Sequence, residues 1–183
     1  MEKLVKEVEK YKIGDPQDNT KNLGPIARFD LFLGLKQQLL SSLQKGAKLV
    51  YGNMNDIDCD YKIDDGNFFK PVIIENINKE CPAYTEELFG PVFSLFKFDT
   101  VEEAIKLSND SEFGLGASIF TKDIQLAKKI ASEIDTGMVF INSSTMSDSR
   151  LPYGGAKNSG YGRTSSFTAI NEFTNNKVVG ERL

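Results

Sequence analysis

The chain has no histidine and only two cysteines, Cys59 and Cys81. Without histidine, no Ser-His-Asp or Cys-His site and no H-E-x-x-H metal motif can be assembled within it. The cysteines form no C-x-x-C pairing, so a disulfide framework is not expected. Carboxylates alone could still hold a metal, but no Asp/Glu spacing suggests it, and the expected metal complement is none. Long apolar runs are also missing. None approaches the roughly 20 residues that a membrane-spanning helix needs. The opening residues, MEKLVKEVEK, are charged and lack the apolar core of a signal peptide. A cytoplasmic location without membrane attachment is therefore expected. Nor is there an excess of basic charge: 22 Lys and Arg face 26 Asp and Glu, a net charge of −4. A nucleic-acid surface needs clustered Lys and Arg, so no nucleic-acid partner is expected.

What is present reads as a globular domain. The 183 residues are 40% hydrophobic, enough for one real core. No internal repeat or Gly/Ser linker divides them, so a single domain is expected over 1–183. Leu4, Val8 and Tyr11 share one helical face over residues 2–11, and Gly14-Asp15-Pro16 makes a turn. A longer helix is predicted from about Arg28 to Lys45. Its residues Phe32, Leu35, Leu39 and Leu43 fall at i, i+3, i+7 and i+11, and Gly46 stops it.

Strands are predicted at Lys48 to Tyr51, Pro71 to Glu75, Val92 to Phe98, Leu115 to Phe120 and Met138 to Ile141. Residues 52–66 read as a surface loop. Thr100-Val101-Glu102-Glu103 is a capping-box pattern that should open a helix running to about Ser108. Another helix is expected from about Ile124 to Ile134. Strand–helix alternation at these short spacings argues for an α/β fold with parallel βαβ units. A short helix near Ser165 to Phe173 and a last strand near Lys177 to Val179 complete the reading.

Four segments could carry chemistry. Glu86-Glu87-Leu88-Phe89-Gly90-Pro91 places adjacent carboxylates between two strands. It could be a solvated acidic turn, or it could accept bonds from ligand hydroxyls, as acidic residues do with cofactor ribose. Leu151 to Arg163 holds four glycines, Lys157 and Arg163. It could bind an anion, yet neither phosphate-loop pattern is satisfied. Glycines serving close backbone approach explain it equally well. Ser143 to Arg150 combines small hydroxyls with one Arg that could bind a carboxylate, unless Asp148 and Arg150 only pair with each other. Cys59, flanked by Asp58 and Asp60, and Cys81, beside Pro82 with no base nearby, both read as passive.

Taken together, these segments resemble the aldehyde dehydrogenase family over nearly the whole chain and in the family's order. Glu86 to Pro91 is similar to its E-E-x-F-G-P motif, and NDSEFGLGASIFTKD at 109–123 to its N-x-x-x-x-G-L-x-x-x-x-F-T-x-D segment. Asn142 with PYGGAKNSGYGR at 152–163 is similar to the N…P-F-G-G-x-K-x-S-G-x-G-R signature. Gly14-Asp15-Pro16 and Leu23-Gly24-Pro25 match two family turns. Within the family, NSSTMSDSRLPYGG and GPIARFDL most resemble succinate-semialdehyde dehydrogenases of the bacterial type.

The resemblance implies the C-terminal part of the family's catalytic domain, a mostly parallel sheet flanked by helices. It implies oxidation of an aldehyde to a carboxylate. A cysteine thiolate attacks the aldehyde, hydride passes to a nicotinamide, and a glutamate base assists hydrolysis of the thioester. By motif position, Glu87 and Phe89 would bind the cofactor, and Asn142 would support the active-site loop. Ser147, Arg150 and Tyr153 would face a small aldehyde substrate. The family's nucleophilic cysteine, general-base glutamate, oxyanion-hole asparagine and Rossmann domain lie upstream of the part that matches and have no counterpart here. The full-length enzyme would use NAD or NADP. This chain alone is expected to bind no cofactor and to be inactive. Residues 176–183 would supply an oligomerisation strand, so a homo-oligomer or self-association through uncovered apolar surfaces is expected. The alternative is a non-catalytic, oligomerising interaction protein.

Overall fold

The computed structural model describes residues 1–57 and 66–182, the side chain of Asp56 excepted. Cys59 lies outside the described residues. The chain forms two compact units, Met1–Lys97 and Phe98–Leu183.

The first unit is organised by α2, Phe29–Gln44, which follows a short α1, Glu2–Val8. The apolar stripe read from the sequence is the buried face of α2: Phe32, Leu35 and Leu39 are all enclosed, and Leu43 packs against the same core. Gly46 ends the helix at φ +107°, a conformation that an L side chain rarely adopts. Strands β1 (Lys48–Tyr51), β2 (Val72–Glu75) and β3 (Val92–Ser94) form one sheet in the order β1-β2-β3. β1 runs antiparallel to β2, and β3 runs parallel to it. The central strand carries Val72, Ile73 and Ile74, all buried, as a strand covered on both faces should.

Two short helices complete this unit. α3, Met54–Ile57, lies in what reads as a loop, and its Ile57 enters the core. α4, Pro82–Thr85, starts with proline at its first turn, where no backbone donor is needed. The buried Ser42 joins α2 to α4: its hydroxyl donates to Gln38 O at 2.8 Å and accepts from Ala83 N at 2.9 Å. Cys81 is fully buried, with Sγ 3.5 Å from Ser42 O, which agrees with its passive reading.

The second unit holds α5 (Val101–Asn109), β4 (Phe113–Gly114), β5 (Ala117–Ile119), α6 (Ile124–Glu133), β6 (Val139–Ile141) and β7 (Ala156–Lys157). β5 and β6 pair in parallel across α6, the expected βαβ unit. β4 and β7 add an antiparallel pair. The fold is thus α/β with both parallel and antiparallel pairs. Thr100 caps α5 by accepting from Glu103 N at 3.1 Å, while the Glu103 carboxylate reaches back to Asp99 N at 2.9 Å. Asp123 caps α6 through Leu126 N at 2.9 Å.

Several expectations change. The strand predicted over 92–98 ends at Ser94, because its partner β2 ends at Glu75. The strand predicted at Lys177 to Val179 does not form. Strand structure requires a hydrogen-bonded neighbour, and none is offered within the described residues; Val178 and Val179 stand 96% and 85% exposed. The helix expected near 165–173 is a 3₁₀ helix, Phe167–Phe173, entered through Ser165 and Ser166 at positive φ.

Candidate functional site

In the first unit, the residues between α4 and β3 are shaped by packing on α2. Gly90 lies so close to Leu35 that an added Cβ would overlap that side chain. Gln38, on α2, donates from Nε2 to Glu86 Oε2 at 2.8 Å and to Glu87 O at 3.3 Å. Glu86 is thereby occupied in holding the loop, and the Glu87 side chain remains exposed. Phe89 is 69% exposed. It borders a concave pocket of about 510 Å³ with Leu23, Pro25, Ile26, Leu31 and Phe93. An exposed carboxylate and a bare aromatic face thus sit two residues apart on one fixed loop.

In the second unit, Asn142 stands at the end of β6 with φ +53°, in the left-handed region that Asn tolerates better than most residues. Its side chain continues the β5–β6 ladder: Oδ1 accepts from Thr121 N and Nδ2 donates to Thr121 O, both at 2.9 Å. The following segment carries Ser147, Arg150 and Tyr153. Ser166 N donates to Ser149 O at 2.8 Å, holding the segment at its middle. Its far end is closed by two mutual backbone bonds of 2.8 Å between Tyr153 and Thr164.

Ser147 is exposed and Tyr153 half-buried. Arg150 forms a two-pronged pair with Asp148, Nε to Oδ1 at 3.0 Å and a terminal nitrogen to Oδ2 at 2.6 Å. That guanidinium holds the Asp148 carboxyl below the usual range, and the carboxylate raises Arg150 in turn. The mutual pairing weighed from the sequence is therefore the one seen. Arg150 would have to leave Asp148 before meeting a substrate carboxylate.

The glycine-rich segment decides between its two readings by where its cations go. Lys157 Nζ donates to Asn109 O and Ser111 O, each at 2.9 Å. Arg163 donates to Gly155 O at 2.9 Å and Gly162 O at 2.6 Å. Both charges are used on backbone carbonyls. A Cβ at Gly137 would overlap Gly154 O, and one at Gly155 would meet Ser159. Close backbone approach accounts for these glycines, and no phosphate cradle is formed. Among the described residues, no group of three or more His, Cys, Asp or Glu is placed to hold a metal, and no helix is long and apolar enough to cross a membrane.

Sequence reasoning overlooked the pocket beside Phe89 and the clamp by Gln38. One signal was present: Leu31 lies off the buried stripe of α2, and it is 37% exposed in the structure.

The two-unit α/β architecture, with its fixed Glu86–Pro91 loop and glycine-closed segment, has clear counterparts. A succinic semialdehyde dehydrogenase from Streptococcus pyogenes, solved in complex with NADP+, superposes with a TM-score of 0.87 at 40% identity, covering 95% of this chain and 37% of that one. The succinate semialdehyde dehydrogenase [NAD(P)+] of Escherichia coli K12 is 40% identical over 97% of this chain and 37% of its own length. The 4-trimethylaminobutyraldehyde dehydrogenase of Bos taurus is 35% identical over 97% of this chain and 36% of its own. The model of the aldehyde dehydrogenase family matches residues 1–179. The chain belongs to the aldehyde dehydrogenase family. It spans a little over a third of the length of these relatives.

Proposed function

We propose that this chain is the C-terminal portion of an NAD(P)-dependent aldehyde dehydrogenase that oxidises succinate semialdehyde to a carboxylate. The observation that carries the reading is the 40% identity to succinate semialdehyde dehydrogenases across nearly the whole chain. In this reading Phe89 presents its ring to the nicotinamide and Glu87 accepts from ribose hydroxyls. The nicotinamide, when bound, supplies the hydride acceptor. Asn142 fixes where the segment 143–153 leaves the sheet. Tyr153 walls the aldehyde channel and Ser147 lines it, with Arg150 available to a substrate carboxylate once released from Asp148.

The chemistry needs an activated sulfur. Cys81 is buried against Ser42 O and cannot reach a substrate. The chain holds no histidine to serve as its base. We therefore infer that the isolated chain is inactive and binds no cofactor tightly. The test is appearance of NAD(P)H from succinate semialdehyde with the purified chain. No turnover above a heat-denatured control is expected, and steady turnover would overturn the inference. A second reading, a non-catalytic chain that joins other subunits, draws on the bare Val178 and Val179. Co-sedimentation with a full-length relative supports it, and separate migration counts against it.

A further inference from the structure

Leu35, Gln38 and Ser42 stand at i, i+3 and i+7 of α2, so they share one face of the helix. Each meets a different point of the segment that carries the two adjacent glutamates, and the contacts run in reverse order. Ser42 Oγ accepts from Ala83 N at 2.9 Å. Gln38 Nε2 donates to Glu86 Oε2 at 2.8 Å and to Glu87 O at 3.3 Å. Leu35 fills the space that a Cβ at Gly90 would need. Residues 83–90 thus run back along α2, fitted against three of its side chains. Two internal bonds of 2.8 Å tighten the same segment, Glu86 N to Pro82 O and Gly90 N to Leu88 O. The side chains of Glu87 and Phe89 stay exposed throughout.

The three contacts do different things. Ser42 and Leu35 fix the two ends of the segment, and Gln38 reaches its middle. There the carboxamide treats the neighbouring glutamates unequally: it takes the side chain of Glu86 but only the backbone of Glu87. An amide is a donor without charge, so it does not draw the Glu87 carboxylate into an ion pair. We propose that Gln38 is a positioning residue for the nicotinamide end of the cofactor. It makes Glu86 the anchor of the loop and leaves Glu87 and Phe89 ordered and unengaged before a ligand arrives. Such preorganisation raises affinity, because the loop loses less freedom on binding. The proposal rests on the reading under Proposed function, in which Glu87 and Phe89 meet the cofactor.

The test uses the complete chain and NMR of its backbone and carboxamide groups. The probe ligand is nicotinamide mononucleotide at millimolar concentration, which carries the ring and the ribose alone. Gln38→Leu keeps the size and the helix propensity and removes the donor. Gln38→Glu sets two carboxylates face to face. Adding Glu86→Gln to it restores one donor–acceptor pair with the roles exchanged, though not the bond to Glu87 O. That rescue separates a specific contact from a general loosening of the helix.

Glu86→Gln alone should move the Gln38 carboxamide signals, and Glu87→Gln alone should leave them in place. In Gln38→Leu and Gln38→Glu, backbone order parameters over 86–90 should fall from about 0.85 toward about 0.6. Exchange at Gly90 N should quicken about fivefold, the factor that one ordinary hydrogen bond represents, and mononucleotide affinity should weaken by a similar factor. The exchanged pair should restore order at Glu86 and only part of it at Glu87. Order over 86–90 that survives Gln38→Leu overturns the proposal. So does a mononucleotide affinity that Gln38→Leu leaves unchanged, or an exchanged pair that rescues nothing. If the mononucleotide moves no signal of Glu87 or Phe89 in the unaltered chain, the cofactor reading of this loop fails. The order parameters then decide by themselves whether Gln38 sets the loop geometry.

Discussion

The two units are held together by different means. Among the described residues, every apolar side chain in the fully buried class lies in the unit Met1–Lys97 except Ala127. The first unit wraps a 16-residue helix against a central strand buried on both faces. The second has strands of two or three residues, and it relies on side chains that clip backbone to backbone. Asn109 donates to Glu133 O and accepts from Asp135 N, both at 2.8 Å. Asn142 does the same with Thr121. Lys157, Ser159 and Arg163 close the glycine segment. A buried Phe or Leu contributes about 1.5–3 kcal/mol, and a hydrogen bond about 0.5–1.5 kcal/mol net. Clips of this kind specify local geometry while adding little resistance to opening.

The largest expected effect lies in the first unit. Phe32→Ala removes a ring that stacks with Phe29 at 6.2 Å and meets Phe69 edge-on at 5.8 Å. It should cost about 3–5 kcal/mol. Urea unfolding followed by circular dichroism measures it, since the chain has no tryptophan to report by fluorescence. A loss below about 1 kcal/mol would mean that this core is not the main stabiliser.

Glycines sharpen the contrast. Gly137→Ala drives a methyl group into Gly154 O, a backbone atom that cannot swing aside. About 1–3 kcal/mol of destabilisation is expected, read as faster hydrogen exchange over 137–164. Gly34→Ala is its opposite. It lies inside α2 with nothing within 4 Å of the added carbon, so a gain of about 0.5–1 kcal/mol is expected from helix propensity. Equal effects of the two substitutions would erase the difference drawn between the units.

Much of the first unit was legible in the sequence, because a long helix repeats its signal: Phe32, Leu35 and Leu39 announce one face, and Gly46 marks its end. The caps Thr100 and Asp123 were equally plain, since each acts within four residues. What escaped was short or non-local. β4 and β7 have two residues each, too few to show a period, and they pair across more than forty positions. The four-residue α3 and α4 are set by packing. Residues 177–179 have the composition of a strand, yet a strand is a relation between two segments, and among the described residues no second segment pairs with them. For the site, motif order singled out Glu87, Phe89, Asn142 and Tyr153 as candidates. That Gln38 holds the acidic loop, and that Arg150 is engaged by Asp148, are facts about neighbours that no motif records.

Asn142→Ala tests whether the clip at β6 specifies geometry more than it stabilises. The change removes two hydrogen bonds and leaves an alanine at φ +53°, for an expected loss of about 1–2 kcal/mol. Asn142→Gly separates the two causes, because glycine accepts the backbone angle and still lacks the clip. Exchange at Thr121 N should quicken in both variants, while overall stability should recover partly in the glycine variant. Full recovery of both would mean that the side-chain bonds contribute nothing.

The smallest effect is expected at the Asp148–Arg150 pair, where the guanidinium is exposed and salt screens it. The Asp148 carboxyl is held below its ordinary value, first by the Arg150 side-chain bond and then by Arg150 N. A group depressed in the folded state stabilises above its unfolded pKa, about 3.9, and that contribution fades as pH falls through the folded value. Between pH 7 and 5 the segment 147–151 should therefore show no change. Below about pH 4, protonation of Asp148 should free Arg150, with chemical shifts of its side chain moving in step. Asp148→Asn should give the low-pH signature at neutral pH while leaving the exchange of Phe32 and Leu39 untouched. If the Arg150 signals titrate near pH 7, or if added salt moves nothing, the pair is not what restrains this loop, and the guanidinium is already free to meet a carboxylate.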